Sequence, residues 1–109
     1  MYTIDITKLP YKNNIIHTEA MNGGVGIIYQ FNNGYQASVV MHNSSYGGAD
    51  GLIEIAAMRN KTIVDIGLSQ SDEVVGWLTY EEAGKVLHKI SKHHQRTLKE
   101  LKRMTKAND

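Results

Sequence analysis

The stretch VGIIYQF at 25–31, NNG at 32–34 and YQASVVM at 35–41 decides how this chain folds. Apolar side chains alternate on both sides of a turn. Val25, Ile27, Tyr29 and Phe31 share one face of the first run, and Tyr35, Ala37, Val39 and Met41 share one face of the second. Asn-Gly supplies residues that tolerate the positive φ of a tight hairpin turn. The pattern predicts a β-hairpin with those faces in the core, and the rest of the chain is read outward from it.

Upstream, YTIDIT at 2–7 alternates and is rich in β-branched residues, so it reads as a strand that stops near Pro10, which cannot donate to a ladder. IIHT at 15–18 reads as a second short strand. Downstream, HNSSYGGADG at 42–51 is made of small and turn-forming residues and must loop. LIEIAAM at 52–58, a turn at Asn60 and Lys61, and TIVDI at 62–66 form a second hairpin. The short apolar run VVGWL at 74–78 then leads into TYEE at 79–82. This Thr-x-x-Glu is the pattern of a capping box, in which Thr79 accepts from the amide three residues on and Glu82 reaches back.

From Tyr80, the recurrence of Ala83, Leu87, Ile90, His94, Leu98, Leu101 and Met104 at steps of three and four predicts a helix to about Lys106. At 1.5 Å per residue, roughly 26 residues span about 39 Å, more than a four- or five-stranded sheet covers. The second half of the helix is therefore expected to project. The fold class is α+β: an antiparallel sheet of four to five strands in two hairpins, followed by one long C-terminal helix, in a single domain over residues 1–109.

With 109 residues and 12.2 kDa the chain supports one modest core. A composition of 41% hydrophobic and 21% charged residues is that of a folded protein rather than a disordered tail. No apolar run approaches the roughly 18 to 20 residues that cross a bilayer, and no export signal precedes the first strand. Without cysteine there is neither a disulfide framework nor a thiolate metal site. These readings point to a cytoplasmic protein with no membrane contact. The net charge of +1 hides an asymmetry: residues 1–84 carry 4 Lys/Arg against 9 Asp/Glu, and residues 85–109 carry 8 against 2. Such a dipole steers the basic end towards phosphates, an acidic protein or the acidic head of a second copy.

Four features are candidates for function. The loop bearing Ser44, Ser45, Tyr46, Gly47, Gly48 and Asp50 offers glycines that let amides approach a phosphate, two hydroxyls and an aromatic platform in Tyr46. It lacks the lysine of a P-loop and the Gly-x-Gly-x-x-Gly of a dinucleotide site, and a strand connection that needs positive φ explains it equally. His42, Asp50 and Glu54 near the loop show no spacing of a nucleophile with its base. His88, His93 and His94 are five and six apart from the first to the others, not four, so they do not share one helix face as zinc ligands would.

The third feature is the basic surface formed by Lys92, Arg96, Lys99, Lys102, Arg103 and Lys106, which wraps round the helix rather than gathering on one face. The fourth is the apolar seam of Ile90, His94, Leu98, Leu101 and Met104 on the projecting half, spaced for helix pairing and expected to make a homodimer interface. No residue set supplies a nucleophile with its base, a metal site or a cofactor site.

Ser38-Val-Val, Ser45-Tyr-Gly-Gly, Gly51-Leu, Glu54 and Ala56, followed by Asp72-x-Val74-Val-Gly-Trp-Leu-Thr79 and Glu82, resemble a group of small, mostly uncharacterised proteins of tailed bacteriophages. The resemblance covers about half of the chain and brings no activity with it. It implies a protein made inside an infected bacterium that binds and inhibits or redirects a host or defence complex without catalysis. Two alternatives stay open from the residues: a nucleotide- or small-molecule-sequestering protein using the loop at 44–51, and a nucleic-acid binder using the basic helix.

Overall fold

A computed structural model of the chain describes residues 2–70 and 73–94. Six antiparallel strands form one sheet: β1 (Ile15–Met21), β2 (Gly24–Gln30), β3 (Gln36–Met41), β4 (Ile53–Arg59), β5 (Thr62–Ile63) and β6 (Val74–Leu78). A single helix, α1 (Tyr80–Lys92), follows. The first four strands lie side by side in chain order. The far edge of β4 is shared: Met58 and Arg59 pair with Ile63 and Thr62, while Ile53, Ile55 and Ala56 face Leu78, Val75 and Val74.

The expected hairpin is β2 and β3, paired from Val25–Met41 to Gln30–Gln36. Its loop holds three residues, closed by the Phe31 amide on the Tyr35 carbonyl at 2.9 Å, and only Gly34 takes a positive φ, of 89°. The hairpin before it is equally tight. Asn22 and Gly23 both have positive φ, 45° and 77°, as a two-residue turn requires, and this extends β1 to Met21, three residues beyond the expected end.

One face of the sheet carries the core. Ile27, Tyr29, Ala37, Val39, Met41, Ile53, Ile55 and Ala57 point to the side where Ala83, Leu87 and Ile90 of α1 arrive. Leu87 and Ile90 are fully buried, which is worth roughly 1.5 to 3 kcal/mol for each side chain. Val40 and Ala56 are also buried but belong to the opposite face, shielded by their neighbours on the sheet.

The expected strand at 2–7 is not formed. Asp5 accepts from the amide of Thr7 at 3.0 Å and so caps a single 3-10 turn, Ile6–Lys8, which ends any ladder there. Ile4 and Leu9 plug the core from the side, and the Asp5 amide donates to the Tyr80 hydroxyl at 2.8 Å. The alternation that suggested a strand reflects an extended segment with every second side chain facing the core.

The start of α1 is as expected. The Glu82 amide donates to Thr79 Oγ1 at 3.2 Å and the Thr79 amide to Glu82 Oε1 at 3.0 Å, which completes the capping box. Its end is a correction. The helix stops at Lys92 after thirteen residues, and His93 is extended at φ −62° and ψ 135°. The hairpin loop caps this end: Asn33 Nδ2 lies at 2.8, 3.2 and 3.0 Å from the carbonyls of Ile90, Ser91 and His93 and donates to acceptors that a helix end leaves without an intrahelical donor. A continuous helix from 80 to 106 is thus interrupted at His93. Residues 95–106 lie outside the described residues.

Candidate interaction surface

The loop between β3 and β4 is closed on itself. Ser45 Oγ accepts from the His42 amide at 2.9 Å and donates to the His42 carbonyl at 3.0 Å, while Ser44 Oγ accepts from Asn22 Nδ2 at 2.7 Å. The amides of Gly48, Asp50, Gly51 and Leu52 are bonded to carbonyls of Ser45, Gly47, Gly48 and Gly47. The Tyr46 amide donates to Glu54 Oε1 at 3.0 Å. A phosphate cradle needs convergent amides with free hydrogens. Here those donors serve the loop, and a carboxylate stands beside the one at its tip.

The glycines act by their smallness. A Cβ on Gly48 would lie 2.1 Å from the His42 carbonyl oxygen, and one on Gly47 would lie 2.9 Å from Trp77 Cα. Trp77 belongs to β6, where the pairing with β4 slips. Between the Ile53–Leu78 and Ile55–Val75 pairs, Gly76 and Trp77 oppose the single residue Glu54, forming a β-bulge. The Trp77 amide donates to the Tyr46 carbonyl at 3.0 Å, and a Cβ on Gly76 would sit 2.2 Å from Tyr46 Cβ. Loop and bulge are therefore one packed unit, built from two stretches thirty residues apart in sequence.

This unit presents two aromatic side chains to solvent: Tyr46 is 50% exposed and Trp77 59%. Trp77 also has a φ of 59°, a left-handed conformation that residues with a Cβ other than Asn and Asp seldom adopt and that costs on the order of 1 to 3 kcal/mol. Burial does not compensate this strain, because most of the ring faces water. Sequence reasoning singled out Tyr46 as a contact residue but placed Trp77 in an apolar run and in the stretch that carries the resemblance, without a role of its own. The available signal was Gly76, since an isolated glycine inside a strand pattern marks a bulge.

A second concavity lies at the end of α1. Tyr11, Asn14, Phe31, Asn32, Ser91 and Lys92 line a cleft of about 250 Å³, smaller than the roughly 300 to 1,000 Å³ of common ligand sites. Tyr11 and His88 Nδ1 share a hydrogen bond of 2.6 Å. Ser91 Oγ donates to the His88 carbonyl at 2.7 Å, so its proton is directed to the backbone of its own helix and not to an imidazole nitrogen. This is not the geometry of an activated nucleophile.

The remaining expected site residues separate. His88 joins Tyr11, and His93 meets the Tyr35 ring edge-on at 5.0 Å, so the two rings serve different contacts. His42 Nδ1 accepts from the Ser44 amide at 3.1 Å and Glu54 from the Tyr46 amide, so each supports the loop. Asp50 is exposed at the loop's far side. Ile90 is fully buried against the sheet, which corrects its place in an exposed seam: the stripe of α1 faces its own core. His94 is exposed, and Leu98, Leu101 and Met104 lie outside the described residues. Of the basic surface, Lys92 lines the cleft, while Arg96, Lys99, Lys102, Arg103 and Lys106 also lie outside them.

Among the described residues, three titrating groups depart from their usual range. Hydrogen bonds from Thr7 hold the Asp5 carboxyl below its ordinary value, and those from Thr79 do the same for Glu82. Burial pushes the Tyr29 phenol up to about 12. None of the three belongs to the aromatic unit. Among the described residues no helix is long and apolar enough to cross a membrane. No family model, curated protein or solved structure matches this chain.

Proposed function

We propose that the chain is a non-catalytic binding protein that engages a protein partner through Tyr46 and Trp77. The observation that carries this reading is Trp77, a large aromatic residue held in a strained left-handed conformation with its ring in water. Backbone strain concentrated at an exposed side chain is characteristic of sites where structure serves recognition. Tyrosine and tryptophan are also the residues that most often dominate binding energy at protein interfaces. The frame beneath them is tied by internal hydrogen bonds and close packing, which lowers the conformational freedom lost when a partner docks.

The residues that build this unit, Ser45-Tyr-Gly-Gly and Val75-Gly-Trp-Leu, are among those on which the resemblance to small bacteriophage proteins rests. On that reading the partner is a component of a bacterial host or defence complex, which the protein inhibits or redirects. Sequestration of a nucleotide by the loop has less support, because its hydroxyls and most of its amides are engaged internally.

The test compares wild type with the Tyr46→Ala/Trp77→Gly double variant as baits in a bacterial lysate. Proteins retained by the wild type and lost by a folded double variant support the reading. An identical set of retained proteins from both baits refutes the assignment of the surface. Nucleotide released from the denatured wild-type protein instead supports sequestration, and steeply salt-dependent capture of nucleic acid supports the basic segment.

A further inference from the structure

Among the described residues, one margin of the sheet is a long strand edge that has no partner strand and is regular over most of its length. Strand β1 pairs with β2 alone, and among the described residues its other edge has no partner. Residues 16–20 are all exposed, including Ile16 at 60%. Natural edge strands are usually guarded by lysine, proline, short length or a distorting bulge. Ile15–Met21 has seven residues with no lysine, arginine or proline, and its bulge lies at the start, between Ile15 and His17, leaving the remainder regular. Helix α1 packs over β3, β4 and β6, so Thr18 and Ala20, which share the helix side of the sheet, remain uncovered as well.

We infer that β1 is a self-association strand, and that a second copy of this chain adds to it antiparallel across a two-fold axis at Thr18, fusing two sheets into one. The occupant follows from charge and register. Residues opposed across such an axis lie on the same face of the sheet, so the axis must pass through a residue. Centring on His17 puts the bulge residue Ile16 beside the axis, whereas Thr18 keeps it one pair farther out, and centring on Ala20 runs the ladder into the Asn22–Gly23 turn. Centring on Glu19 sets two carboxylates directly opposite each other, which is unfavourable. Centring on Thr18 opposes each His17 with Glu19 of the second copy, pairing an N–H donor or cation with a carboxylate twice. His17 and Glu19 already approach to 3.5 Å within one strand, so both side chains are on the face this register needs. The inference does not depend on the Tyr46 and Trp77 reading.

The chain has no cysteine, which permits a direct test by single-cysteine cross-linking. Opposed residues in an antiparallel ladder have Cα atoms about 4.5 to 5.5 Å apart, within reach of a disulfide, whereas diagonal neighbours lie at roughly 7 to 8 Å. Under mild oxidation at tens of micromolar, Thr18→Cys is expected to form a covalent dimer. His17→Cys and Glu19→Cys are each expected to stay monomeric alone and to cross-link to one another when mixed. The uncross-linked wild type should sediment as two chains at that concentration, and Thr18→Lys, folded by circular dichroism, should lose the dimer. Equal cross-linking at all three positions overturns the register. A dimer in the wild type without a Thr18→Cys cross-link overturns the strand assignment, as does a wild type that sediments as a monomer.

Discussion

The two margins of this sheet are built on opposite plans. At one, β1 ends the sheet as a seven-residue strand whose outer edge has no partner among the described residues and no charged or proline guard along its length beyond His17 and Glu19. At the other, the edge of β4 is divided between a two-residue strand and a bulged one, and the bulge amide is occupied by the Tyr46 carbonyl. Short strands, bulges and covering loops are the means by which a sheet prevents lateral growth. The closed margin therefore offers only a two-residue edge and a bulged one, and presents side chains, Tyr46 and Trp77. The open margin presents backbone. A partner recognised by aromatic contact and a second copy recognised by strand pairing are thus directed to different ends of one small domain.

Breaking the closed margin should have the largest effect. In Gly76→Ala the new methyl group must displace Tyr46 Cβ from 2.2 Å, and the overpacking is expected to cost about 3 kcal/mol in a urea melt. An exposed change of similar size on β1, Ala20→Ser, should stay within about 0.5 kcal/mol. Equal costs at the two sites would remove the contrast.

The next effect is set by pH. Tyr29 stands opposite Ile15 at the start of β1, and its hydroxyl donates to the Pro10 carbonyl at 3.2 Å. Its folded pKa is raised from 10 to about 12, so its contribution to stability is fully present below pH 10 and is lost as pH rises through 12. A tyrosine step near 12 is expected in the ultraviolet spectrum of the folded protein, and Tyr29→Phe should abolish it. A step near 12 that survives in Tyr29→Phe, or none in the wild type, would show that the core admits water beside β1.

Trp77→Gly sharpens the comparison by a small effect. Relief of the left-handed strain offsets the loss of the partly covered ring, so stability should stay within about 1 kcal/mol of the wild type. A buried tryptophan reduced to a small residue loses roughly 3 to 5 kcal/mol. A loss of that size would make Trp77 an anchor of the fold, not a presented contact. Smallest of all, His17→Glu should weaken β1 self-pairing by about 0.2 to 1 kcal/mol for each opposed pair, and exchanging the two residues, His17→Glu with Glu19→His, should restore it. Sedimentation equilibrium reads both.

What could be read from the sequence was local. The β2–β3 hairpin announces itself through strict alternation around one turn, and the capping box through two residues three apart. The stripe of Ala83, Leu87 and Ile90 predicted the buried face of α1, but the same periodicity extends the helix past His93, because the side chain that caps its end, Asn33, lies 57 positions before Ile90. The alternation at 2–7 fits a strand or an extended plug equally, and only the choice between pairing and burial separates them. Asn22 and Gly23 have the chemistry of a tight turn, and that turn carries β1 three residues beyond the strand expected at 15–18. The aromatic unit was half visible: the loop drew attention to Tyr46, while the exposure and strain of Trp77 arise from its contact with a loop thirty residues away.

The most direct test of the contrast between margins is amide hydrogen exchange followed as protein concentration is raised. The account predicts that residues 15–21 gain protection with concentration while the Trp77 amide, held by Tyr46, is protected throughout. Exchange in β1 that ignores concentration, or a Trp77 amide that exchanges as fast as in a free peptide, would contradict it.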